Sequence, residues 1–197
     1  MKSTTMIMAA AVLGITTGSA SAATSAWSVT GDNIVPNTVA NVLTADGEGD
    51  DWTGAVLRID LTSGSVYQNG SGGNAAPSSA FIGFVPELEF DTYVGIIDDA
   101  TAGIAGGAGD LGGGALSLDA PQFSATWFNT NTTDTGPVQI ANITLSPDAA
   151  GTAEWIVSFA GGQIRGSSAV EGGVIALPEP ASIAVMGLGG LAVLRRR

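Results

Sequence analysis

The 197-residue chain has no cysteine, no histidine and one lysine, Lys2. Without Cys or His there is no Cys/His zinc site, no Ser-His-Asp triad, no thiolate nucleophile and no disulfide. A domain without disulfide or Cys/His metal cross-links is held together by its core alone. Cations are scarce as well: six Lys/Arg stand against 18 Asp/Glu. Four of the six (Lys2, Arg195, Arg196 and Arg197) lie at the extreme ends. Residues 23–177 carry 17 acids against Arg58 and Arg165, a formal charge of −15. A body this acidic repels a phosphate backbone, which argues against nucleic acid as a partner. It suits a soluble extracellular surface or divalent cations.

Glycine is abundant, 29 residues, about twice the usual share of roughly 7%. The chain therefore turns often. Hydrophobic content is 45%, too high for a disordered chain. Period-2 alternation recurs between the turns. Leu57, Ile59 and Leu61 share one face, with Arg58 and Asp60 on the other. Phe84, Leu88 and Phe90 alternate with Glu87, Glu89 and Asp91. Ala141, Ile143 and Leu145 alternate with Asn142, Thr144 and Ser146. Trp155, Val157 and Phe159 oppose Glu154, Ile156 and Ser158. Such alternation marks half-buried antiparallel strands. Pro147-Asp148-Ala149-Ala150-Gly151 reads as a hairpin connection between two of the best runs. Residues 69–79 read as a loop crossing between sheets, and residues 100–115 as a Gly-rich loop at one end. No amphipathic helix is expected between residues 23 and 177. The expected fold is all-β: one antiparallel β-sandwich of eight or nine strands.

The two ends read as addresses. Lys2, the apolar run Met6–Ile15 and the small residues Ser19 to Ala23 follow the order of a secretory signal peptide. Ala20 and Ala22 have the spacing of a cleavage site, which makes residues 1–22 removable and sets the body at 23–177. At the other end Pro178-Glu179-Pro180 blocks helix continuation. Ala181–Leu194 then runs 14 residues without a charge, and Arg195–Arg197 closes the chain. At 1.5 Å per residue such a helix spans about 21 Å, short of the roughly 30 Å hydrocarbon core. It would be a short transmembrane helix and a marginal anchor, with the arginines favouring a cytoplasmic end.

Residues 178–197 resemble the PEP-CTERM sorting signal of bacterial envelope proteins. The resemblance rests on Pro178, Glu179 and Pro180, the apolar stretch, and Arg195, Arg196 and Arg197 in that order. It implies an exported protein held transiently in the membrane. It also implies a partner, an exosortase-type protease-transpeptidase, that processes the chain near the Pro-Glu-Pro. Members of that family are surface or extracellular-matrix proteins of bacteria that make exopolysaccharide. The body is similar in cadence, over Gly54–Leu61 and Ile140–Trp155, to cohesin-like or carbohydrate-binding-module-like sandwiches; no motif accompanies that cadence.

The functional expectation is a non-enzymatic envelope or matrix protein. The alternative is a carbohydrate-binding or calcium-dependent adhesion module. Asp46, Glu48, Asp50 and Asp51 form the densest acidic run. They can either present oxygens to a calcium ion, with Asp98 and Asp99 brought in by folding, or form a solvated turn. Trp52 follows that run and is the best-placed tryptophan for exposure and sugar stacking; the other reading is core packing. Glu87 and Glu89 share one strand face and offer two carboxylates for acid–base work, which is also what any half-exposed strand shows. No cofactor is expected.

Overall fold

The computed structural model describes residues 23–98, 102–106, 111, 117–129 and 136–175. The expected signal peptide, with Ala20 and Ala22, lies outside these residues. So do Pro178, Glu179 and Pro180, the apolar run and Arg195–Arg197. Among the described residues no helix is long and apolar enough to cross a membrane.

Ten strands are described, in two antiparallel sheets. They are β1 (Thr24–Val29), β2 (Val39–Asp46), β3 (Trp52–Ser63), β4 (Tyr93–Val94) and β5 (Ala102–Gly106). Then come β6 (Gln122–Phe128), β7 (Val138–Leu145), β8 (Ala150–Phe159), β9 (Gly162–Glu171) and β10 (Val174–Ile175). One sheet has the order β1-β2-β7-β4 and the other β10-β9-β8-β3-β6-β5. A short helix α1 (Ser79–Ile82) and a 3-10 turn (Pro86–Phe90) lie between β3 and β4.

The strongest period-2 runs fold as their pattern demands. Leu57, Ile59 and Leu61 of β3 are buried, while Arg58 and Asp60 pair outward at 2.6 Å. Trp155, Val157 and Phe159 of β8 are buried. Ile156 is buried too, on the opposite face and in register between Val56 of β3 and Arg165 of β9. The core lies between the sheets, with Trp27, Leu43 and Ile143 from one and Leu57, Trp127 and Trp155 from the other. All four tryptophans are inside. Trp27 and Trp155 meet edge to face across the sheets, centroids 5.8 Å apart at 85°, a geometry favoured by the ring quadrupoles. The Trp155 indole N–H donates to Ser25 Oγ at 3.0 Å. Gly166 pairs with Trp155 in register, and a Cβ there would overlap the indole. The missing side chain is what lets that ring lie flat on β9.

Several sequence expectations are corrected. Residues 147–149 do not join a hairpin: β7 pairs with β2 and β4, while β8 pairs with β3 and β9. The Pro-Asp turn switches sheets. The tight connections within a sheet are Ala160-Gly161, between β8 and β9, and Gly172-Gly173, between β9 and β10. Both glycines of the second turn have positive φ, which suits residues without a Cβ. The run from Phe84 to Asp91 is no strand. Pro86 opens a 3-10 turn, its ring fixing φ and removing an N–H a ladder would need. Phe84 stands 85% exposed while Leu88 and Phe90 are buried. A one-turn helix, α1, precedes it, started by the Ser78 side chain accepting from the Phe81 N–H. Ala102–Gly106, expected as loop, is an edge strand paired with β6. The crossing placed at 69–79 occurs earlier, since Val66 already bridges to Leu145 of β7.

The segment between β3 and β4 explains why β7 is buried on both faces. Asn142 and Thr144 should face solvent by alternation, yet both are buried. The Tyr67 N–H and the Thr92 hydroxyl donate to the Thr144 carbonyl, and the Asn142 amide donates to the Asp91 carbonyl at 2.6 Å. A second small core of Val35, Ala40 and Phe90, with Tyr67 against it, forms apart from the main one.

Candidate functional site

The last described strand is held by one buried polar side chain. Asn41 sits among Leu43 and Ala45 on the inward face of β2, fully buried. Its Oδ1 accepts the Ile175 N–H at 2.8 Å. Its Nδ2 donates to the Gly173 carbonyl at 2.9 Å and the Ile143 carbonyl at 3.1 Å. Ile175 is buried, and β10 packs against β1 and β2 of the opposite sheet. Ile175, the last described residue, is thus packed into the core. At the other end β1 begins at Thr24, directly after the half-buried Ala23.

The acidic run lies in the connection from β2 to β3, which passes from one sheet to the other. Asp46 Oδ1 accepts the Glu48 N–H at 3.0 Å, and the Asp50 N–H donates to the Gly47 carbonyl at 3.0 Å. Glu48 and Gly49 have positive φ. Among the described residues no group of three or more His, Cys, Asp or Glu is placed to hold a metal ion. Asp98 does not join the run. Its Oδ1 accepts the Ser79 N–H at 2.7 Å, and hydrogen bonds from the Ser79 side chain first and its N–H second hold its carboxyl below the usual range. Asp99 lies outside the described residues.

Trp52 is 1% exposed, which corrects its placement as an exposed platform. It opens β3 opposite Phe159, and the register irregularity between Trp52 and Gly54 breaks the alternation that Leu57, Ile59 and Leu61 follow, so this even position is buried. Glu87 and Glu89 sit on the 3-10 turn, so the shared strand face expected for them does not exist.

A cavity that the sequence did not reveal lies under α1. It measures about 140 Å³ and is lined by the 71–73 backbone, Ala75, Pro77, Phe81, Leu88 and Asp91. Asp91 is 1% exposed. Its Oδ1 accepts the N–H groups of Asn69 at 2.7 Å and Thr92 at 2.9 Å. Its Oδ2 accepts from Gln68 Nε2 at 2.9 Å. Burial pushes its carboxyl up, and these three hydrogen bonds oppose the shift. Gly72 lies so close to Oδ2 that a Cβ would overlap it. Gln68 Oε1 is buried with no partner among the described residues. Nearby Tyr93 is raised above the ordinary phenol range, chiefly by burial, despite the bond donated to its oxygen by Gln139. Phe81, which lines the cavity, is 45% exposed, and Phe84, in the turn between α1 and the 3-10 turn, is 85% exposed. Chemically the cavity offers a carboxylate acceptor, apolar walls and aromatic surface. The only signal for it in the sequence is an acid directly after a core aromatic, Phe90-Asp91, and that does not predict a cavity.

No family model, curated protein or solved structure matches the chain. The fold defines its class, an all-β protein of two antiparallel sheets packed on one core, and fold alone does not assign function.

Proposed function

We propose that the chain is a non-enzymatic exported protein of the cell envelope or extracellular matrix. Its N-terminal signal directs export. Its C-terminal apolar helix holds it transiently in the membrane, and an exosortase-type enzyme processes it near Pro178-Glu179-Pro180. The acidic two-sheet body is the cargo. The observation that carries this reading is the ordered tail: Pro-Glu-Pro, a charge-free run too short for a firm anchor, and three terminal arginines. The body's limits support it. The described residues that pack on the core run from Ala23 to Ile175, which agrees with the body limits of 23–177 read from the sequence. Its strongly negative charge suits a soluble surface protein.

The test is fractionation of the producing cell followed by sequencing of both ends of the mature protein. The expected product begins at Ala23, ends before Arg195 and lies at the surface or in the matrix. A full-length cytosolic product through Arg197 would overturn the reading. Replacing Arg195, Arg196 and Arg197 by Ser should leave export intact but reduce membrane retention and processing; unchanged sorting counts against the tail's role.

A second reading, a binding module for carbohydrate, is favoured by one observation. The Asp91 cavity is lined by the exposed Phe81, with the more exposed Phe84 three residues further along the chain: an acceptor and aromatic faces of the sort that sugars use. Affinity electrophoresis in the producer's polysaccharide should then show retardation that Phe84→Ala abolishes. Equal mobility with and without polysaccharide would exclude this reading.

A further inference from the structure

Ala23 packs half-buried against the core. Thr24 pairs with Asp46, so Ala23 lies one position beyond, alongside the connection that leaves β2. There it lines a cleft of about 310 Å³ with Asp50, Phe159, Gly161, Gln163 and Ile164. Among the described residues Asp50 is the only ionisable side chain lining that cleft. Its backbone is fixed by the bond to the Gly47 carbonyl. Its Oδ2 lies against Gly161, where a Cβ would overlap it. No described residue gives the Asp50 carboxylate a hydrogen bond or an ion pair.

The geometry points to an ammonium-binding site whose occupant is the chain's own new N-terminus. Hydrolysis of the Ala22–Ala23 peptide bond leaves a carboxylate on Ala22 and an ammonium on Ala23. That ammonium docks in the cleft against Asp50. The inference rests on the reading that export removes residues 1–22. Before cleavage the same nitrogen is a neutral amide, so the pairing exists only in the processed protein. The sequence also makes this charge singular. Lys2 is the only lysine and departs with the signal, so the mature chain has one primary amine. The acidic connection that faces it carries Asp46, Glu48 and Asp51 as well as Asp50. Captured N-terminal amines are a known recognition mode, and a carboxylate neighbour favours the protonated form.

The single amine makes the test direct. The full chain is exported by its host, the mature protein is purified and its N-terminus sequenced. It is then labelled with an amine-selective reagent over a pH series. Wild type should take one label per chain, with a pKa about half a unit above the ordinary ~7.7–8.0 of an α-amine. Below that pKa the labelling rate should be about threefold lower than for a free amine. Asp50→Asn should return the amine to its ordinary range. Glu48→Gln removes an equal charge from the same connection but not from the cleft, and should keep most of the shift. An unshifted amine in wild type, or equal losses in the two variants, would overturn the site. If Asp50→Asn does not fold, the wild-type titration still decides, through the presence or absence of the shift. A mature protein starting at another residue overturns the maturation reading and the site with it. A start at Ala23 with an ordinary amine overturns the site alone.

Discussion

Replacing Asn41 by Ala should loosen the C-terminal strand, and the structure fixes the scale. The substitution strands the Ile175 N–H and the Gly173 carbonyl, which Asn41 holds at 2.8 and 2.9 Å. Leaving a buried polar group unpaired costs about 1–3 kcal/mol, so keeping β10 in place would cost about 2–6 kcal/mol. The chain has a cheaper route. Among the described residues β10 comprises two, Val174 and Ile175, and pairs only with β9. Letting it peel away gives up chiefly the burial of Ile175, about 1.5–3 kcal/mol. The lower-cost response wins, so global stability should fall by about 1.5–3 kcal/mol, while the Ile175 amide loses its protection. Urea denaturation reads the first quantity and hydrogen exchange at Ile175 the second. Asn41→Asp sharpens the test. One oxygen still accepts from Ile175, but the other is turned on the carbonyls of Val39, Ile143 and Gly173, which now receive the Asn41 amide. That variant should be at least as unstable as Asn41→Ala. If Asn41→Asp matched wild type in midpoint and in Ile175 protection, the clasp would not be what closes the globule.

Three further outcomes are expected. Gly166→Ala forces a Cβ into the Trp155 indole; overpacking costs about 1–3 kcal/mol. The lost Trp155–Ser25 hydrogen bond should shift the emission spectrum, and an unchanged melt and spectrum would refute the packing argument. Asp91 sets a pH dependence opposite to that of an ordinary paired carboxylate. Its folded-state pKa is raised, so between the unfolded value and the raised one the native state holds a proton that the unfolded chain has released. Unfolding free energy therefore falls as pH rises through that window and levels off above it. Wild type measured against Asp91→Asn should show that fall, and the reverse slope would contradict the burial argument. Millimolar calcium should leave the thermal midpoint unchanged, because no three described carboxylates converge; a rise of several degrees would show a site that the connection from β2 to β3 assembles on binding.

Strands with one clean buried face could be read directly, because a period of two fixes which side chains share a face. β3 and β8 are of this kind. β5 escaped notice because Ala102-Gly103-Ile104-Ala105-Gly106 has loop composition; its pairing with β6 uses backbone groups that any residue carries. The Phe84–Asp91 run misled because its alternation is interrupted by Pro86. Trp52 misled for a different reason. Its acidic neighbours suggested solvent, but the irregular register between Trp52 and Gly54 buries it against the parity of the strand. The candidate sites were the least legible part. Asn41 announces itself only as a polar residue at an inward position, and its partner Ile175 is 134 residues away. Asp91 is bonded by Gln68 and Asn69 across the turn of the 69–74 segment, and no local pattern gives that.

The sequence by itself determined the all-β class, the acidic body without a lysine and the two unlike terminal segments, since composition, period and order along the chain are local quantities. Only the tertiary structure decided which strands share a sheet, that Pro147-Asp148 switches sheets, and that Asn41 fastens the last strand. Alternation tells each strand which face to bury, but it is silent about neighbours. Those are chosen by long-range hydrogen bonding and by how four tryptophans pack into one core.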